Sequence, residues 1–134
     1  MSLEAVDVVA GILQRQGLIY LAQRDENRDQ AGLWELPGGK IEAGESQQVA
    51  LCREWREEFG VDITPGKYIA SHDFVVSGRR IYLHAWHITA YRGVLVPTCH
   101  SQCCWITPED ALALPLAPAD VPLIVAFMKF TAHQ

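Results

Sequence analysis

The alternation of apolar and polar positions divides the chain into strands, one central helix and a helical C-terminus. From Glu4 to Gln14 the residues are rich in Val and Ile, as a strand requires, and Gln16-Gly17 supplies a turn into a partner strand from Leu18 to Gln23. A polar loop follows from Asp25 to Gln30. Ser46 then stands as an N-cap before about four turns of helix-forming sequence, and Gly60 stands where a helix closes in the left-handed conformation. Within that stretch Leu51, Cys52, Trp55 and Phe59 form one apolar stripe. Two further strands, Lys67 to Val76 and Arg80 to Ala90, flank Ser77-Gly78. Thr107-Pro108-Glu109-Asp110 opens a short helix, with Thr as N-cap and Pro at its first position. Pro115 to Pro118 reads as a loop. Asp120-Val121-Pro122 begins a last helix, in which Leu123, Ile124, Phe127 and Met128 recur at helical spacing.

Composition narrows the class. A chain of 134 residues, 49% hydrophobic and 20% charged, forms one domain with a core of its own. The net charge of −5 argues against a sequence-independent grip on nucleic acid, so no direct nucleic-acid binding is expected. Cys52, Cys99, Cys103 and Cys104 lack the spacing of a secreted disulfide framework, and thiols in a reducing cytoplasm are expected. There is no charged-then-apolar leader and no apolar run long enough to span a bilayer, so no membrane partner is expected.

The chemistry concentrates between Leu36 and Val61. Gly38-Gly39 lets the backbone turn tightly and approach a ligand closely. Glu54, Glu57 and Glu58 fall at i, i+3 and i+4, so their carboxylates share one side of the helix. That is a poor local choice: like charges at i,i+4 cost about 0.2–0.5 kcal/mol, and the helix C-terminus disfavours negative charge. Arg53 and Arg56 offset part of the cost. A divalent cation resolves the conflict, because hard Mg²⁺ takes carboxylate oxygens and keeps waters and phosphates as its other ligands. The three acids alone read first as a solvated face, ahead of a metal site.

The spacing carries more than the acids do. Gly39, five residues, Glu45, seven residues, Arg53-Glu54, an apolar residue, Arg56, Glu57-Glu58, Phe59, Gly60 and Val61 follow the pattern G-x5-E-x7-R-E-U-x-E-E-x-G-U, with U apolar. In this the chain resembles the Nudix hydrolases, and nearly its whole length is similar to their MutT-type members. Trp55 stands where that family usually has an aliphatic residue. The resemblance implies an α+β fold, the Nudix α/β/α sandwich, with a mixed sheet between the box helix and the C-terminal helix. It implies a single Nudix domain over residues 1–134 with its box at 39–61. It also implies Mg²⁺, or Mn²⁺ in its place, held by Glu54, Glu57, Glu58 and the Gly38 carbonyl. Glu54 would orient or deprotonate the attacking water, Arg53 would brace the acidic face, and Gly39, Glu45 and Gly60 would hold the geometry of the box.

Outside the box the resemblance implies phosphate contact by Arg24 and Lys40, base-pocket roles for Phe74 and Arg79, and base-edge reading by Asp120. Each has a plainer alternative in the residues themselves: a solvated strand end or surface charge for Arg24 and Lys40, core packing for Phe74, and helix N-capping for Asp120. Cys99 stands where MutT-type relatives often carry a loop Glu that serves as a further metal ligand or base. Cys99-His100-Ser101-Gln102-Cys103-Cys104 lacks the paired spacing of a structural zinc site, and zinc is not expected there. His84 and His87, three apart on a strand, face opposite ways and make no shared site.

The stretches Gln30 to Glu35, Ala70-Ser71-His72, Leu83 to His87 and Pro115 to Asp120 are similar to the CTP pyrophosphohydrolases of bacteria. The implied substrates are therefore CTP, dCTP and oxidised or methylated pyrimidine nucleotides, hydrolysed to monophosphate and pyrophosphate in nucleotide-pool sanitation. The alternatives are a purine-directed 8-oxo-dGTP diphosphatase and a Nudix-fold module that binds nucleotide without cleaving it. A monomer and a homodimer both remain open.

Overall fold

The structure, a computed structural model, describes residues 5–26 and 30–133. The expected start of the first strand at Glu4, and residues 27–29 of the polar loop, lie outside the described residues. Among the described residues seven strands form one mixed sheet: β1 (Ala5–Arg15), β2 (Leu18–Arg24), β3 (Trp34–Glu35), β4 (Gly38–Lys40), β5 (Asp62–Val76), β6 (Arg79–Arg92) and β7 (His100–Ile106). The order is β3-β2-β1-β6-β5, with β4 added against β1 and β7 against β2. The β1–β6 pair is parallel and the others are antiparallel. Helices α1 (Gln47–Phe59), α2 (Pro108–Ala111) and α3 (Val121–Ala132) complete the elements.

Strand β1 is buried on both faces, and its alternation divides the core. Val9 and Leu13 pack with Leu51, Trp55 and Phe59 of α1, whereas Ala10 and Ile12 pack with Leu123, Ile124 and Phe127 of α3. Strand β2 repeats the division, with Tyr20 and Ala22 toward α1 and Ile19 and Leu21 toward α3. A strand covered by a helix on each side is what the α/β/α sandwich needs. Trp55, fully buried, fits because Gly11 on β1 has no side chain; a Cβ there would lie 2.9 Å from its indole nitrogen. That nitrogen donates to the Pro37 carbonyl at 3.1 Å, tying α1 to the segment that leads into the box.

Several local signals act as the sequence implies. Ser46 Oγ accepts from the Val49 amide at 3.1 Å, Thr107 Oγ1 accepts from the Asp110 amide at 3.1 Å, and Gly60 closes α1 at φ 72°. Ser77 and Gly78, both at positive φ, make the β5–β6 turn. Strand β5, expected from Lys67, begins at Asp62, because Pro65 and Gly66 sit at register shifts within the strand instead of ending it. The segment from Pro115 is not simply a loop. The Trp34 amide donates to Pro115 O and the Ala117 amide to Trp34 O, both at 2.8 Å, before a 3₁₀ turn over Pro118–Asp120.

Candidate functional site

Gly38 and Gly39 are not the tight turn expected. Both lie in extended strand β4, paired with Ala10 and Val9, and neither has a positive φ. Glycine is required there by crowding. A Cβ on Gly38 would run into the Val9 carbonyl oxygen, and one on Gly39 would sit 2.5–2.6 Å from both carboxylate oxygens of Glu54. The missing side chains let α1 lay Glu54 directly against the strand.

Arg53 organises what surrounds that contact. Its Nε donates to Glu45 Oε2 at 2.7 Å and its Nη2 to Glu45 Oε1 at 2.9 Å, a two-pronged pairing. Nη2 also donates to the Lys40 carbonyl at 3.0 Å, and Nη1 reaches Glu54 Oε1 at 2.9 Å and Glu57 Oε2 at 3.4 Å. Glu45 is held down to about 2 by the Arg53 hydrogen bonds, helped by the Glu42 amide. The guanidinium is correspondingly held above its usual range, chiefly by Glu45. Lys40 is exposed, and its backbone is what meets this cluster.

The three glutamates share a helix side but not one environment. The Glu57 side chain is 60% exposed, Glu54 17% and Glu58 9%. Glu54 and Glu57 converge on Arg53, while Glu58 turns inward toward β7. Among the described residues, the acidic, His and Cys group whose ligand atoms lie within 4.8 Å of one another is Glu58, Cys99 and His100, not the three glutamates.

Cys99 reaches Glu58 because the chain before β7 docks on the end of α1. The Val96 amide donates to Phe59 O and the Thr98 amide to Glu58 O, each at 3.0 Å, and Thr98 Oγ1 donates to the carbonyls of Glu57 and Glu58. These bonds satisfy carbonyls that a helix end otherwise leaves open. They bring Cys99 Sγ to 3.6 Å from Glu58 Oε1.

Arg24 and His100 meet at Glu35, a residue that no sequence pattern singles out. Arg24 Nη1 donates to Glu35 Oε1 at 2.6 Å, and His100 Nε2 lies 2.8 Å from Glu35 Oε2. Burial opposes ionisation of Glu35, but hydrogen bonds and charge from His100 and Arg24 outweigh it and hold the carboxyl below its usual range. His100 stacks on Phe59, with ring centroids 5.5 Å apart. The partners are 65 residues apart, so no local spacing could reveal them.

The remaining candidates divide. Asp120 is not an N-cap: it is helical at φ −83°, makes no capping bond, and accepts from the Leu36 amide at 3.1 Å through Oδ2. Burial raises its carboxyl to about 7, against the Leu36 bond, which lowers it. Phe74 stacks on His72 and packs against the α3-side core, and Arg79 is exposed at the start of β6. Leu36, next to the box, belongs to that same core. His84 lies beside Tyr68 and Asp7, while His87 sits against Phe127 and Phe130 of α3. No disulfide is present among the described residues. None of the described helices is long and apolar enough to cross a membrane.

Sandwich and box together define a class, and the chain belongs to it: it is a Nudix hydrolase, with the family's NUDIX domain matching residues 1–127. Of individual proteins, it is similar to the CTP pyrophosphohydrolase of Escherichia coli K12, at 53% identity over 98% of each chain. It is also 35% identical to the putative 8-oxo-dGTP diphosphatase 2 of Mycobacterium tuberculosis H37Rv, over 84% of this chain and 81% of that one. The solution structure of the Escherichia coli ORF135 protein superposes with a TM-score of 0.91 at 52% identity, covering 98% of this chain and 94% of that chain.

Proposed function

We propose that this chain hydrolyses nucleoside triphosphates to the monophosphate and pyrophosphate with Mg²⁺, acting on CTP, dCTP and oxidised or methylated pyrimidine forms. The observation that carries the reading is the Arg53 clamp, which fixes Glu45, Glu54 and Glu57 around a strand whose Gly39 leaves room for a carboxylate. The donor set fits a hard divalent ion, since Glu54, Glu57 and Glu58 offer carboxylate oxygens from one helix and the Gly38 carbonyl lies in the adjoining strand. When bound, such an ion neutralises phosphate charge and lowers the pKa of a coordinated water.

The chain's residues supply the rest. Arg53 orients the Glu54 carboxylate, so that Glu54 can accept a proton from the attacking water. Arg24, fixed by Glu35, presents positive charge for substrate phosphate, and Lys40 adds to it from the exposed end of β4. Asp120 and Phe74 lie on the α3 side, where an ionised Asp120 would accept from an exocyclic amino group such as cytosine N4. The similarity to an enzyme named CTP pyrophosphohydrolase supports the pyrimidine choice. The similarity to a putative 8-oxo-dGTP diphosphatase favours a purine as the second reading.

The test is pyrophosphate release with Mg²⁺ across CTP, dCTP, UTP, dUTP, dGTP and 8-oxo-dGTP. We expect CTP or dCTP to exceed the uracil nucleotides by about ten-fold or more in kcat/KM, because a mispaired buried polar group costs about 1–3 kcal/mol. Higher kcat/KM for 8-oxo-dGTP would replace the pyrimidine reading with the purine one. Tight binding with no release would leave a binding module.

A further inference from the structure

We propose that Glu58, Cys99 and His100 form a binding site for a borderline-soft divalent cation, zinc above all, sharing Glu58 with the acidic face of α1. Zinc bonds of about 2.3 Å to sulfur and about 2.0–2.2 Å to nitrogen or oxygen put tetrahedral ligand atoms about 3.5 Å apart. Cys99 Sγ lies 3.6 Å from Glu58 Oε1 and 3.6 Å from His100 Nδ1. Those two edges match a zinc tetrahedron, and one ligand atom from each of the three residues lies within 4.8 Å of the others. Glu58 Oε1 also lies 3.7 Å from His100 Nε2.

The support around the ligands is built as well. His100, its side chain wholly buried, turns Nδ1 toward Cys99 because Nε2 is engaged by Glu35 at 2.8 Å. A carboxylate on the far nitrogen of a ligating histidine fixes its tautomer and raises its basicity. Arg24 anchors that carboxylate in turn, and stacking on Phe59 holds the ring plane. Sulfur selects against Mg²⁺ and for zinc. The absence of paired cysteine spacing argues against a closed structural site, but an open one needs only three protein ligands. On binding, Cys99 releases its thiol proton to solvent. Because Glu58 serves both arrangements, zinc inhibits Mg²⁺-driven turnover. That consequence rests on the function proposed above, whereas the cation site does not.

The experiment is titration of the metal-free full chain with Co²⁺, a spectroscopic stand-in whose thiolate charge-transfer band reports a Co–S bond. We expect a saturable near-ultraviolet band, displaced by Zn²⁺, and a rise in melting temperature with Zn²⁺. Cys99→Ser should abolish the band, and Glu58→Gln should weaken binding without changing side-chain shape. Cys103→Ser should keep the band. Glu35→Gln should weaken zinc by about 10- to 100-fold, as loss of an outer-sphere partner does. Melts of each variant verify folding. No band in the wild type, or a band that survives Cys99→Ser, overturns the site. Zinc binding without inhibition of an active enzyme overturns the shared role of Glu58. If no nucleotide is hydrolysed, the proposed function fails while the cobalt spectrum still judges the site.

Discussion

Asp120 is a buried carboxyl whose work is done by one oxygen, which holds the Leu36 amide just before the box. With a carboxyl near 3.8 unfolded and about 7 folded, the native state binds the proton more tightly. This group's contribution is therefore fully present below pH 4 and is lost as pH rises through 7, at about 1.4 kcal/mol per unit at most. Asp120→Asn keeps an acceptor for Leu36 and removes the titration. In melts from pH 5 to pH 8 the wild type should lose stability that the variant does not; parallel profiles would contradict the burial. Gly39 acts by what it lacks. In Gly39→Ala the new methyl meets the flexible end of Glu54, so the fold should survive while the carboxylate moves. A shift of about 1 Å can cost about 100-fold, and kcat should fall on that scale with the melting temperature nearly unchanged. Wild-type turnover would show that the position of Glu54 is immaterial.

Helix α1 was the most legible element, because Ser46, Gly60 and the apolar stripe are signals confined to it. What its neighbours do was much less legible. Gly38-Gly39 reads as a tight turn, and only the nearness of Val9 and Glu54 reveals a crowded crossing instead. Asp120 reads as a cap because it precedes a helix, yet pairing of the chain at 115–117 with Trp34 delivers it to Leu36 instead. Pro65-Gly66 reads as a strand boundary but is absorbed by register shifts opposite β6. The docking of Thr98 on the end of α1 joins two elements with no shared pattern. Thr98→Val removes both hydroxyl bonds and leaves the amide bond to Glu58 O. It should cost about 1 kcal/mol in denaturant melts. No loss would mean that water serves those carbonyls equally well.

At the scale of the molecule, the sandwich was legible only through the resemblance carried by the box. The structure supplies its physical ground, since β1 and β2 are buried on both faces and each face is covered by a helix. The electrostatic wiring was not legible. Arg24, Glu35, His100 and Glu58 come from separate segments, and burial rather than spacing pairs them. The sheet carries Gly39 under one helix and Leu36 toward the other, so the acidic face and the Asp120 region are joined by a few residues of one strand-rich segment. Under the proposed function, that arrangement would set the hydrolytic face beside the recognition face on a protein with net charge −5, where an anionic substrate must be met by local cations.

The measurement that bears most directly on the account is the Mg²⁺ dependence of pyrophosphate release from CTP by the wild type and by Glu54→Gln. The substitution keeps the side chain's size beside Gly39 and removes its charge from Arg53. Loss of a positioned charge at a reacting centre costs about 100- to 1,000-fold in kcat, and a fall of that size with an intact melt is the predicted result. Turnover within a few-fold of wild type at saturating Mg²⁺ would contradict it, and would move the chemistry away from the face that Arg53 organises.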